Sequence, residues 1–314
     1  MRTNGGTNVK KKRKWPKYVL IALLVALIAG GIYVYSVYSN FTTTLDTMHE
    51  PVEREQPSVE RTEIVEFDQQ DPFSVLLLGV DEREDDRGRS DTMVVMTVNP
   101  ETQSTKMVSI PRDTYTEIVG RGTTDKINHA YAFGGIEMSM NTTENLLDIP
   151  IDYVVQVNME GFEDIVDAVD GVTVNNALAF DNFPEGEIEL NGEQALDYVQ
   201  MRKQDPRGDF GRQDRQKQVI QGIMRKGASI NSLWNYKDIF DALGQNVRTN
   251  MTFDEMVDVQ RNYQDAVANV DQMIIEDGYG ETINGIWYYM MDDAELAEIQ
   301  STLKEHLELE QATE

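Results

Sequence analysis

Between residues 18 and 38 the chain reads YVLIALLVALIAGGIYVYSVY. The run carries no charge and is about twenty residues long, which is what a bilayer core requires. Tyr33, Tyr35 and Tyr38 at its far end suit an interfacial aromatic belt. Residues 1–17 hold Arg2, Lys10, Lys11, Lys12, Arg13, Lys14 and Lys17 and no acid. A basic flank on that side predicts a cytoplasmic N-terminal segment, a single-pass signal-anchor over 18–38 and everything beyond it outside the cell. A cleaved signal peptide is the competing reading, because Ala29, Gly30 and Gly31 are small residues near the end of the run. The run is longer than a signal core, which favours the anchor. Residues 39–70 are polar and acidic, with Pro51 and Pro57, and read as a stalk. At Asp71-Pro72 the pattern changes, and residues 71–314 read as one external folded domain of about 240 residues.

Within that domain the period of the apolar positions changes repeatedly. FSVLLLGV (73–80) is a continuous apolar run and predicts a buried strand. TMVVMTVN (92–99) and TKMVSIP (105–111) predict two more, joined as a hairpin by the short link between them. Helical spacing covers 136–148, a strand follows at 153–158, an amphipathic helix at 161–169 and a short strand at 171–175. NGEQALDYVQM (191–201) starts with Asn191 as a cap and Gln194 three positions on, a capping-box arrangement. A long helix runs from Arg212 to about Ala228, and two more are predicted over 252–267 and 292–309. Strands alternating with helices predict an α/β fold with a central, partly antiparallel sheet.

Composition narrows the chemistry. There is no cysteine, which excludes disulfides, thiolate zinc sites and a thiol nucleophile. The histidines are His49, His129 and His306 alone, too few for a histidine-built metal site or a persuasive serine triad. The chain has 28 basic and 55 acidic side chains. Setting aside the seven N-terminal cations leaves 21 against 55, a net −34, which repels nucleic acid. No GxxxxGK[ST], GxGxxG or GxSxG motif occurs.

Four stretches carry candidate chemistry. GVDEREDDRGRSDT (79–92) follows a buried strand and holds Asp81, Arg83, Arg89 and Asp91. Sites in α/β sheets collect at the carboxyl ends of strands, and two carboxylates around a glycine-containing loop can hold a hard cation such as Mg²⁺. The plain alternative is a solvated loop of internal ion pairs. SIPRDTY (109–115) ends a strand in Arg112 and Asp113; the arginine fork suits phosphate, and the alternative is an Arg-Asp pair that fixes a turn. DKINHAYAFGG (125–135) offers Lys126 as a point charge for phosphate, while His129 and Tyr131 read as local packing or hydrogen-bonding groups.

The fourth stretch, MRKQDPRGDFGRQDRQKQVI (201–220), gathers six cations in an acidic chain. On a helix of about 3.6 residues per turn, Gln216, Val219 and Ile223 share a face with Arg212, so Arg212 and Gln216 point inward with the apolar stripe. A buried arginine needs a partner, and a helix start favours an anion. Gly208 and Gly211 allow close backbone approach to a bound group. An internal network with Asp205, Asp209 and Asp214 is the alternative. Lys203 and Lys217 read as ordinary surface charges.

Taken together, PFSVLLLGVDER, GRSDTMVVMTVNP, VSIPRDTY, DKINHAYAFGG, DIPIDYVVQVN and RKQDPRGDFGRQDRQKQVI resemble the LytR–CpsA–Psr family, in its order and spacing. The likeness is closest to members that attach teichoic acid to peptidoglycan. It implies an α/β/α sandwich with a central mixed β-sheet, holding a polyprenyl-pyrophosphate lipid whose tail lies in an apolar tunnel. It implies a transferase that moves a wall polymer from that lipid to peptidoglycan in a Gram-positive envelope, forming a phosphodiester. By the same resemblance Asp81 and Asp91 bind Mg²⁺, and Arg112, Lys126, Arg202, Arg212 and Gln216 meet the pyrophosphate. Gln200 stands where the family has the first arginine of an RxRK pattern. That contact is then lost or supplied by Arg207 or Arg83. With Arg89 these residues complete the candidate phosphate set, and Asp91, Arg112, Asp113 and Arg212 form the candidate catalytic set. A carboxylate base is expected, Asp91 or Asp113. The rival functions are a lipid-pyrophosphate phosphatase, a non-enzymatic envelope regulator and a passive lipid-binding scaffold.

Overall fold

A computed structural model describes residues 48–49, 51–52, 61, 64–81, 88–228, 244 and 246–309. The expected membrane span and most of the stalk lie outside these residues. Among the described residues no helix is long and apolar enough to cross a membrane.

The first half of the domain contains β1 (Phe73–Val80), β2 (Ser90–Asn99), β3 (Ser104–Ser109), β4 (Tyr115–Ile118), β5 (Thr123–Lys126), α1 (His129–Leu147), β6 (Tyr153–Val157) and α2 (Met159–Ala168). The second half contains β7 (Val172–Asn176), β8 (Gly186–Leu190), α3 (Gly192–Gln200), α4 (Asp209–Ala228), β9 (Val247–Thr249), α5 (Phe253–Asn262), α6 (Gln264–Ala268), β10 (Val270–Met273), β11 (Tyr279–Ile283), β12 (Ile286–Met290) and α7 (Asp293–His306). Six strands form the central sheet in the order β10-β3-β2-β1-β6-β9. Pairings β1–β2, β2–β3 and β6–β9 are antiparallel, and β1–β6 and β3–β10 are parallel. The fold is therefore mixed α/β around a mixed sheet.

The continuous apolar run of β1 follows from its central place, because both of its faces are covered. Leu76, Leu78 and Val80 pack with Met140 and Leu147 of α1 and Ile299 and Leu303 of α7. The alternate residues Phe73 and Val75 pack with Phe67, Tyr153 and Tyr263. Phe67, Phe73 and Tyr263 meet edge-on, with centroids 5.2 to 5.6 Å apart, a preferred aromatic geometry. A separate core joins α2, α3, β7 and β8 through Val166, Val174, Leu190 and Tyr198. Helix α4 serves both cores: Val219 enters the second, and Ile220 packs with Val94 and Met107 of the sheet. This shared helix ties the two cores to each other.

The differences from the sequence reading have local causes. The helix expected from 136 follows a break at Gly134 (φ −141°) and Gly135 (φ 64°), and a short helical segment from His129, which the pattern does not show, precedes it. The helix expected over 252–267 is interrupted at Tyr263, which leaves helical geometry (φ −122°, ψ 12°) and is 1% exposed in the aromatic cluster. The capping box of α3 forms with Asn191 and Gln194 as expected. The hairpins β4–β5 and β11–β12 have no counterpart in the hydrophobic pattern, since TYTEI is mostly polar and YGETI is exposed.

His306 locks α7 onto the sheet. Its Nδ1 is 2.8 Å from Thr97 Oγ1 and its Nε2 is 2.9 Å from Ser104 Oγ, while Asn99 donates to its carbonyl at 2.9 Å. Burial, and then the charge of Lys106, hold the imidazole down at about 4. An unfolded chain takes up the proton near 6.5. Stability from the neutral ring is thus complete above pH 6.5 and is lost as pH falls towards 4. Urea unfolding at pH 7 and pH 4.5 is expected to show wild type losing roughly 2–3 kcal/mol more than His306→Gln across that interval.

Candidate functional site

The ends of β1 and β2 begin the site. Gly79 pairs with Thr92 and Val80 with Ser90, so Asp91 is the extra residue of a β-bulge. A bulge leaves its extra residue unpaired and re-aims the side chain. Asp81 follows directly on β1. Gly88 has φ +72°, and a Cβ there would lie 2.4 Å from the Asp81 carbonyl oxygen. Glycine thereby brings the two legs of the 79–92 loop into backbone contact at Asp81. The Gly79 position is also close, with a Cβ falling 2.9 Å from that of Thr92.

The end of β3 supplies the next groups. The Ile110 amide still donates to the Met93 carbonyl at 2.9 Å, which carries the following residues alongside the bulge. Arg112 Nη1 then reaches Asp91 Oδ1 at 2.6 Å, and its Nε lies 3.7 Å from Asp113. Asp113 Oδ1 pairs with Lys126 Nζ at 2.6 Å. Lys126 comes from β5 through the pairing Tyr115↔Lys126. His129 serves locally, with Nδ1 2.9 Å from Asp125. Tyr131 donates to Gln156 at 2.8 Å.

The corner between α3 and α4 brings the remaining arginines. Arg215 is 5% exposed and pairs with Asp205 at 2.6 Å, donates to the Met201 carbonyl at 2.5 Å and lies 5.5 Å over the Phe180 ring. Burial works against the Asp205 carboxylate, but Arg215 and the Arg207 amide hold it below the usual range. Gly211 makes room for that carboxylate rather than for a bound group: a Cβ there would lie 1.9 Å from Asp205 Oδ2. Gly208 takes the left-handed conformation at the corner (φ +57°).

Arg212 is different. Its Nη2 pairs with Asp209 at 2.8 Å and reaches the Asp91 carbonyl at 3.5 Å, linking α4 to the bulge. Burial holds its guanidinium below the ordinary value, Asp209 and Asp91 oppose this, and the like charges of Arg112 and Arg202 add to it. In Arg112 burial also works against the charge, but Asp91, Asp209 and Asp113 outweigh it and the value is raised. The Nε atoms of Arg112 and Arg212, like that of Arg215, are buried and make no hydrogen bond, but only Arg112 and Arg212 also lie beside the bulge at Asp91. Buried donors without acceptors and guanidinium groups close to one another are the two features an oxyanion relieves together. This corner of the fold is therefore suited to a multiply charged phosphate.

The other predicted residues stand as follows. Gln216 is buried one turn beyond Arg212. Arg89 is exposed, and Arg83 lies outside the described residues. Arg207 is half-exposed and paired with Asp214 at 2.5 Å and Glu276 at 2.7 Å, so its charge is already engaged. Gln200 donates to Met159 Sδ at 3.5 Å and borders an open cavity of about 750 Å³ with Asp181, Glu189 and Asp197. Lys203 is exposed as expected. Lys217 is not a surface charge; it is 3% exposed, with its ammonium 3.0 Å from Asp214. Among the described residues no group of three or more acidic or histidine side chains clusters in the manner of a metal site. A metal would rest on Asp81 and Asp91.

Hairpin β11–β12 brings residues to the site that the motifs did not single out. Trp287 and Tyr289 from it, with Phe210, wall a cavity of about 170 Å³ that also touches Asp113 and Arg202. A signal for it is present in TINGIWYYM. Asn284 (φ 51°) and Gly285 (φ 82°) form the tight turn that an Asn-Gly pair favours between two strands.

The LytR_cpsA_psr family profile matches residues 35–305. A protein of Bacillus licheniformis named polyisoprenyl-teichoic acid–peptidoglycan teichoic acid transferase TagU is 50% identical over 303 residues, covering 95% of this chain and 98% of that protein. The TagU of Bacillus subtilis is 50% identical over 304 residues, with the same coverage. The crystal structure of B. subtilis TagU superposes with a TM-score of 0.63 at 52% identity, covering 77% of this chain and all of that one. TagT bound to LIIa-WTA superposes with a TM-score of 0.73 at 33% identity, covering 83% of this chain and all of that one.

Gly211→Ala is expected to displace Asp205 and leave Arg215 charged and buried without its partner. The expected loss is on the order of 3 kcal/mol of unfolding free energy, measured by urea titration.

Proposed function

This chain belongs to the LytR_cpsA_psr family, and from that premise we propose that it is a phosphotransferase of the Gram-positive envelope. It moves an anionic wall polymer, teichoic acid or a related glycan, from a polyprenyl-pyrophosphate carrier to peptidoglycan. The observation that carries this reading is the half-buried pair Arg112 and Arg212, each with a buried Nε that makes no hydrogen bond, beside the exposed Arg202. A pyrophosphate supplies acceptors for those donors and negative charge at Arg212. The names of the relatives supply the polymer and the acceptor.

In this reading Arg112, Lys126, Arg202, Arg212 and Gln216 hold the pyrophosphate, and Arg89 adds a cation at the open side. Arg83 and Arg207 complete the candidate set, though Arg207 would first have to release Asp214 and Glu276. A peptidoglycan hydroxyl attacks the phosphorus that bears the polymer. The anhydride P–O bond breaks, polyprenyl phosphate leaves, and the new bond is a phosphodiester. The hydroxyl proton goes to a carboxylate. Each candidate is paired with a cation at 2.6 Å, Asp91 with Arg112 and Asp113 with Lys126, and Asp113 is the better placed because it borders the cavity beside Arg202. Arg112 and Arg212 stabilise the charge that gathers on the phosphate oxygens as the anhydride breaks.

A divalent cation fits the residues present. Asp81 and Asp91 are oxygen donors at the joined ends of β1 and β2, and Asp91 is 40% exposed despite its pair with Arg112. Two carboxylates suit Mg²⁺, which takes its other ligands from phosphate and water. Bound there, Mg²⁺ would neutralise part of the pyrophosphate charge. The uncharged run over 18–38 would anchor the chain in the membrane with the catalytic domain outside, next to a lipid-borne donor.

One structural relative, from Enterococcus faecalis, is named a transcriptional regulator and superposes with a TM-score of 0.71 at 44% identity. Direct contact with DNA by this chain is opposed by its charge of −27.

The test uses a labelled glycan on a polyprenyl pyrophosphate, with peptidoglycan as acceptor and with Mg²⁺ present. Wild type is expected to give the peptidoglycan adduct and polyprenyl phosphate. Arg112→Ala and Arg212→Ala are expected to keep the fold and to lower kcat/KM by roughly a hundredfold to a thousandfold each. Free polymer phosphate with no adduct would overturn transfer in favour of a phosphatase.

A further inference from the structure

The cavity of about 170 Å³ beside Arg202 has two kinds of wall. Phe210, Tyr289 and Trp287 give aromatic surface. Asp113, Arg202 and Gln213 give an acceptor, a cation and an amide. Sugars have both kinds of surface, an apolar C–H face that lies on an aromatic ring and hydroxyls around the edge that take directed hydrogen bonds. A wholly apolar ligand would leave Asp113 and Arg202 desolvated, and a bare anion would gain nothing from the rings.

The aromatic wall is held in place by the residues of the proposed reaction. The Tyr289 amide donates to the Asp113 carbonyl at 2.9 Å, and Thr114 bridges to Tyr289 in parallel register. Trp287 is two positions before Tyr289 and so projects from the same face of β12. Across the hairpin Gly280 lies beneath it; a Cβ there would fall 2.6 Å from Trp287 Nε1. The indole therefore rests on bare backbone. Yet Trp287 remains 49% exposed. A large ring braced from below and open above is a platform, and it stands next to the carboxylate that faces the reacting hydroxyl.

We propose that this cavity is the subsite for one pyranose ring of the acceptor glycan, with Trp287 as the stacking residue and Asp113 against the attacking hydroxyl. This rests on the transferase reading given above. Arg112 and Arg212 lie towards the bulge at Asp91 and take the donor's pyrophosphate. The Trp287 cavity shares Asp113 and Arg202 with that cluster and opens beside it, which is where an acceptor must approach. Its volume admits a single ring and not a chain, so the rest of the glycan strand runs out along the exposed side of the hairpin.

The test titrates donor and acceptor separately with the full chain in detergent. Trp287→Ala is expected to raise the KM for the peptidoglycan acceptor about tenfold, with the donor KM and kcat changed less than about twofold. Trp287→Phe is expected to recover most of the loss. Gly280→Ala, which displaces the indole without removing it, should repeat the Ala effect. An unchanged acceptor KM, or a rise in the donor KM instead, overturns the proposal. A second readout does not depend on transfer. Peptidoglycan-derived disaccharide should quench tryptophan emission of wild type and not of Trp287→Phe, and equal quenching of both would also overturn it. Were wild type to make no adduct yet show this quenching, the transferase reading would fail while the sugar subsite stood.

Discussion

Three guanidinium groups that repel one another are held together at the junction of the sheet and α4, and much of the architecture serves to keep them there. Arg112 comes from the end of β3, Arg212 from the first turns of α4 and Arg202 from the corner between α3 and α4. Burial opposes the charge of Arg112 and Arg212, and at Arg212 the like charges of Arg112 and Arg202 add to it. Three carboxylates offset part of this: Asp91 on Arg112, Asp113 between Arg112 and Lys126, and Asp209 on Arg212. The compensation is incomplete at Arg212, whose guanidinium is held below its ordinary value. A folded protein can keep such a site only when surrounding structure is stable enough to hold it.

That structure is the double anchoring of α4. Its apolar side enters both the sheet core and the smaller core of α2, α3, β7 and β8. A second arginine, Arg215, fastens the corner from within through Asp205 and the Met201 carbonyl. Arg215 and Arg212 are three residues apart and do different work. Arg215 has a buried carboxylate and a carbonyl, and its role is to shape the corner. Arg212 has one carboxylate at the rim and a long contact to the bulge, and it faces the site. The bulge at Asp91 completes the arrangement by turning one carboxylate out of the sheet towards Arg112.

Much of this is legible in the chain. The apolar run of β1, the capping box of α3 and the inward turn of Arg212 each follow from residue spacing alone, because each depends on a local period. Sequence and structure part where a long-range partner decides the outcome. Lys217 reads as a surface charge because its burial depends on Asp214 and on packing that spacing does not show. The glycines near Arg212 read as room for a ligand, yet Gly211 makes room for Asp205. Arg207 is occupied by Glu276, which is 69 residues away in sequence. Trp287 carries no signal of its role because its hairpin reaches the site only through the backbone bond from Tyr289 to Asp113.

The central claim is that the arginine cluster is a preformed site for a pyrophosphate. The most direct measurement is the thermal midpoint of the full chain titrated with a short prenyl pyrophosphate and Mg²⁺. Binding to the native state alone raises stability by about 2.7 kcal/mol at a hundred times Kd. For a domain of this size that corresponds to a rise of roughly 5–10 °C in wild type. Arg212→Ala should show little or no rise. No rise in wild type, or an equal rise in both proteins, would contradict the account.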